Sequence, residues 1–80
     1  MFVVVKTIDY QYSAPENTIE VFDSYKEALS FLENTRRNLR KASDIEFIYN
    51  ELFESAELCY NTLNATVYYK IIKVTKKNRH

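Results

Sequence analysis

Eighty residues with zero formal net charge, 46% hydrophobic and 15% aromatic, set the scale of one small domain able to bury a single core. Glycine is absent and Pro15 is the only proline, which excludes a glycine-rich phosphate loop and leaves asparagine to serve where a turn needs a positive φ. The single cysteine, Cys59, excludes a disulfide within the chain and fits a reducing compartment.

The N-terminal run MFVVVKTIDY is short and broken by Lys6 and Asp9, so it does not read as a signal peptide. No apolar run approaches the roughly 18 residues of a membrane span. The expectation is a cytoplasmic protein that does not enter a membrane. Neutrality overall conceals segregation along the chain. Residues 1–34 are mainly acidic, and Arg36, Arg37, Arg40 and Lys41 are basic. Asp44 to Glu57 is acidic again, and Lys70, Lys73, Lys76, Lys77 and Arg79 close the chain as a basic block. These blocks either neutralise one another within the fold or form two opposed surface patches.

FVVVKTIDYQY (2–12) is rich in β-branched and aromatic residues and reads as a strand whose start is buried on both sides. SAPENT (13–18) is a turn by composition and TIEVF (18–22) a second strand, completing a hairpin. Asp23 to Arg40 reads as a helix. Ser24 and Glu27 fit a capping box, and Tyr25, Ala28, Leu29, Leu32 and Leu39 recur on one face. Arg36 lies beside that stripe, positioned to run its stem past the edge of the core.

A second helix is expected over about 44–63. Ser43-Asp44-Ile45-Glu46 repeats the capping pattern, and Ile45, Ile48, Tyr49, Leu52, Ala56, Cys59, Tyr60 and Leu63 follow helical spacing. An alternative breaks this helix near Ser55 and makes ELCY a strand. ATVYYKIIKVTKK (65–77) reads as the last strand, with Val67, Tyr69 and Ile71 on one face and Tyr68, Ile72 and Val74 on the other. Residues 78–80 read as a frayed tail. The resulting expectation is one α+β domain over 1–77, ordered β-β-α-α-β, with a helical hairpin on one face of a three-stranded sheet. The first strand, being the most apolar, is placed at the centre with the last strand parallel beside it.

Catalytic signals are weak. The single histidine, His80, is the final residue, and no Cys/His spacing suits a metal. Cys59 falls on the expected core face as a structural thiol. The expectation is a protein that is not an enzyme and carries no cofactor and no metal. Two surface features remain. Lys70, Lys73, Lys76, Lys77 and Arg79, beside Tyr68 and Tyr69, would suit phosphates and unpaired bases, although a neutral chain is atypical for a nucleic-acid binder. Alternating lysines also protect a strand edge.

On the second helix, Phe47, Glu51, Glu54 and Leu58 form a stripe opposite its core face, an apolar pair among glutamates. That stripe is expected to be a contact surface for a partner protein with a basic, partly apolar groove, such as a nucleic-acid-binding protein; it would also serve a twofold homodimer. In its small size, scarce glycine and abundance of Tyr, Asn, Lys and Ile, the chain resembles small accessory proteins of phages and mobile elements. The resemblance implies a protein of the host cytoplasm that occludes a host macromolecule, such as a defence nuclease or a transcription factor.

Overall fold

The computed structural model describes residues 1–39 and 42–75. The expected frayed tail and the basic residues Arg40, Lys41, Lys76, Lys77 and Arg79 lie outside the described residues. Five strands and one helix follow in the order β1 (Phe2–Tyr10), β2 (Glu16–Phe22), α1 (Tyr25–Arg37), β3 (Ser43–Asn50), β4 (Ser55–Asn61) and β5 (Ala65–Lys73). The strands form one sheet ordered β2-β1-β5-β4-β3, and every neighbouring pair is antiparallel. No helix among the described residues is long and apolar enough to cross a membrane.

The first hairpin forms as the alternation indicates. Phe2 and Val4 are buried, with Val3 and Val5 half-buried on the opposite face. Helix α1 begins where its cap stands: the Ser24 side chain accepts from the Glu27 N–H at 3.2 Å, satisfying one of the orphan donors of the first turn. Tyr25, Ala28 and Leu32 are its buried residues, and Leu29 and Leu39 pack beside them. The helix roofs the middle of that sheet rather than its full width: among the described residues, the buried core of the sheet draws on β1, β4 and β5.

Beneath that roof the sheet offers Phe2 and Val4 from β1, Ala56, Leu58 and Tyr60 from β4, and Val67, Tyr69 and Ile71 from β5. Aromatic rings bridge the two layers. Phe31 of the helix meets Tyr69 with ring centroids 6.2 Å apart in an edge-on arrangement, and Tyr25 meets Phe2 at 5.9 Å. Burial pushes the Tyr60 and Tyr69 phenols above their ordinary value. Among the described residues, the opposite face of the sheet carries no helix. This two-layer build gives the described residues a least extent of only 16 Å.

The structure overturns the expected α+β arrangement. Among the described residues it has one helix rather than a helical hairpin, and five strands rather than three, so the domain is mostly β. The region expected as a helix over 44–63 is β3, a turn and β4. Its physical reason is strand pairing. In β4 the buried residues alternate, Ala56, Leu58 and Tyr60, while Glu57 and Cys59 point to the other face. A strand here buries Leu58 completely against Tyr69 of β5 and places Glu57 opposite Lys70, whereas a helix leaves Leu58 among glutamates. The expected second capping box is a β-bulge, with Asp44 at φ 52 and a register shift between Ser43 and Glu46.

Strand order also differs. The most apolar strand, β1, is second from the edge, while β5 is central and antiparallel to it. A long return from β2 through α1 to β3 lets β5 enter between the two hairpins. The assignment of residues 43–61 to strands predicts a contrast between two leucines. Leu58→Ala should cost about 2–5 kcal/mol through loss of burial and a residual cavity. Leu52→Ala, at a position that the helical reading places in the core, should change stability by less than about 0.5 kcal/mol. Urea unfolding of both variants decides, and the reverse order contradicts the hairpin.

Candidate functional site

The β3–β4 turn, residues 51–54, presents Leu52 and Phe53 to solvent with relative exposures of 83% and 74%. They are framed by Glu51 and Glu54, and the exposed side chain of Tyr49 stands just before them on β3. Single exposed leucines are ordinary, but two adjacent large apolar residues at the tip of a hairpin form a concentrated apolar projection.

The turn is held from several sides. Asn50 starts it: its Oδ1 accepts from the Leu52 N–H at 3.0 Å and the Phe53 N–H at 3.3 Å, an arrangement that asparagine provides in turns. The Glu54 N–H donates to the Glu51 carbonyl at 3.3 Å. Glu54 itself stands at φ 50, a left-handed position that a glycine would fill without cost; this chain has none. Its carboxylate accepts from Lys73 Nζ of β5 at 3.0 Å. The pair is substantially exposed and contributes at most about 1 kcal/mol, so its role is to orient the turn against the sheet.

Helix α1 supplies the last tether. The Tyr25 hydroxyl donates to the Ser55 carbonyl at 3.0 Å. Burial foremost, then the nearby Glu51 carboxylate, pushes the Tyr25 phenol above its ordinary value. Between this helix start and the turn lies a shallow hollow of about 340 Å³, lined by Tyr25, Lys26, Leu29, Glu51 and Glu54. The arrangement offers a projecting apolar pair, an apolar floor beside it and carboxylates at the rim. Such a surface can bind; it holds no nucleophile–base pair.

The expected stripe of Phe47, Glu51, Glu54 and Leu58 is divided by the structure. Leu58 has 0% exposure and belongs to the core, and Phe47 is half-buried directly across from it as its cross-strand partner. Arg36 lies over the Phe47 ring, 5.3 Å from its centroid, so the arginine stem does run past the core edge. Glu51 and Glu54 remain at the surface, around a different apolar pair. Leu52 and Phe53 escaped the sequence reading because a helical period assigns Leu52 inward. An Asn between two runs with period-two alternation was the available sign of a turn.

The expected nucleic-acid set is divided as well. Lys70 lies on the uncovered face, opposite Glu57 in the register, while Lys73 lies on the helix side against Glu54. Lys76, Lys77 and Arg79 are outside the described residues. Cys59 is half-buried on β4 rather than on a helix, with its thiol pushed above the ordinary value chiefly by burial. Among the described residues, no cluster of three or more His, Cys, Asp or Glu side chains is placed to hold a metal ion. Compared with known proteins, the chain matches no family model, no curated protein and no solved structure.

The double acceptance by Asn50 makes it the residue that shapes the tip. Asn50→Ala should lower stability by about 1 kcal/mol and speed amide exchange at Leu52 and Phe53. Exchange at those two amides as slow as in the parent would contradict this account of the turn.

Proposed function

We propose that the chain is a non-catalytic protein-binding module that acts by stoichiometric occlusion of a macromolecular partner, with the β3–β4 turn as its contact element. The observation that carries this reading is the outward pair Leu52 and Phe53 on a turn tethered to both β5 and α1. Binding energy in protein interfaces concentrates in a few large side chains that enter pockets, and it is larger when those side chains are ordered beforehand. Tethers of this kind reduce the ordering cost on association.

The chemistry of the turn describes its partner. An apolar pocket deep enough for a phenyl ring would take Phe53, and a basic rim would face Glu51. A nucleic-acid-binding protein approached at its own nucleic-acid site has both features. The compositional resemblance to phage and mobile-element accessory proteins supports a host target of that kind, a defence nuclease or a transcription factor. Cys59, free and half-buried, suits the reducing cytoplasm in which such targets work.

The test is capture by the immobilised chain from nuclease-treated host lysate, compared with the Leu52→Asp, Phe53→Asp double variant. The parent should retain a protein partner, and the variant should lose it while keeping the parental circular dichroism and melting temperature. Equal retention by a folded variant, or recovery of nucleic acid alone, would overturn the proposal.

A further inference from the structure

The two edges of the sheet are built differently. At one edge, β3 is interrupted by the bulge at Ser43–Glu46 and carries Asp44 at a positive φ, devices that natural sheets use to discourage pairing. At the other edge, β2 is regular. All seven of its residues, Glu16 to Phe22, pair in unbroken register with β1, and it contains no proline, lysine or bulge. Its other side has no strand neighbour among the described residues, so a row of backbone donors and acceptors faces outward. Glu16 to Val21 are exposed, on both faces of the sheet, and α1 meets this strand at its last residue, where the Phe22 ring lies 5.3 Å from that of Phe31.

We propose that β2 pairs antiparallel with β2 of a second copy of the chain, forming a twofold dimer with a continuous ten-stranded sheet. A twofold axis perpendicular to the sheet keeps each face in register with itself, so it must pass through a residue that pairs with its own copy. Three centres give substantial overlap. An axis at Glu20 sets Glu20 against itself, and an axis at Thr18 sets Glu16 against Glu20; both place like charges directly opposite. An axis at Ile19 pairs the whole strand. It sets Glu16 against Phe22, Asn17 against Val21, Thr18 against Glu20 and Ile19 against Ile19.

That register brings together apolar surface that the single chain leaves in water. Ile19 and Val21, 64% and 58% exposed, stand on the uncovered face beside Val5 and Val3 of β1. Across the axis the two Ile19 side chains come about 5 Å apart at Cβ and continue the same apolar row in the second copy. The glutamates of β2 thus select a register rather than prevent pairing. Pairing of β2 with a β3 edge would instead be head-to-tail and open-ended, and the bulge in β3 opposes it. The β3–β4 turns lie at the opposite edge of each sheet and stay free in this dimer.

The test is sedimentation equilibrium on the parent, Ile19→Lys, Ile19→Glu and Ile72→Lys, each checked for parental circular dichroism. The parent should be dimeric. Ile19→Lys and Ile19→Glu, which each place like charges across the axis, should be monomeric alone and should dimerise when mixed in equal amounts. Ile72→Lys, on the uncovered face but on β5, should stay dimeric. A monomeric parent, filaments, a dimer that survives either Ile19 change, no recovery on mixing, or dissociation by Ile72→Lys would each overturn the proposal. The Leu52→Asp, Phe53→Asp variant should remain dimeric, so failure of the dimer and failure of the partner-binding reading give separate results.

Discussion

Leu58 lies opposite Tyr69 and Glu57 opposite Lys70, and on this pairing of β4 with β5 the rest of the molecule depends. It joins two hairpins into one sheet, since β5 also pairs with β1 along its whole length. Without it, α1 would have only part of a floor, and the buried residues of β4 would be left without cover. The same pairing fixes which way the β3–β4 turn projects. With Ala56, Leu58 and Tyr60 committed to the core, the residues of the turn can only point away from it. An opposite-charge pair on one face and a fully buried leucine on the other make a shift by one residue costly on both counts.

The parts of the fold legible in the sequence are those set by local chemistry. The β1–β2 hairpin follows from alternation and a polar turn, and α1 from the Ser24 cap and its apolar stripe. The alternation of Val67, Tyr69 and Ile71 with Tyr68 and Ile72 also has its expected faces in β5. Residues 43–61 were not legible in this way. Their apolar residues match a helical period because the four-residue turn shifts the phase between two strands. What misled the period was nevertheless visible: Phe47 and Leu58 appeared on the wrong side of the helix. They are cross-strand partners, and a pair of large apolar residues misplaced by one period is a sign that the other period applies.

Of the candidate residues, Glu51 and Glu54 have the surface positions expected of them, while Leu58 is buried and Phe47 half-buried. An apolar pair framed by glutamates does stand at the surface, and Glu51 and Glu54 do frame it. Its members are Leu52 and Phe53, and only the turn geometry set by Asn50 and Glu54 brings them out. The absence of glycine leaves both positive-φ positions among the described residues, Asp44 and Glu54, to acidic residues. One of these blunts the β3 edge and the other closes the turn. The domain therefore divides its surfaces: a projecting apolar turn at the β3–β4 end, and a regular, unblunted strand at the opposite edge. The first is the contact element of the proposed function and the second that of the proposed dimer, and they lie at opposite edges of the sheet.

Backbone NMR tests most directly whether residues 43–61 form a hairpin joined to β5, and the hairpin sets a definite pattern. It predicts cross-strand Hα–Hα contacts in the alternating pattern of antiparallel pairing, between β3 and β4 around Phe47 and Leu58 and between β4 and β5 around Leu58 and Tyr69. Strand-type carbon shifts should accompany them over 45–49 and 56–60. Continuous helical shifts from 44 to 63, with sequential amide–amide contacts and no contacts to β5, would contradict it.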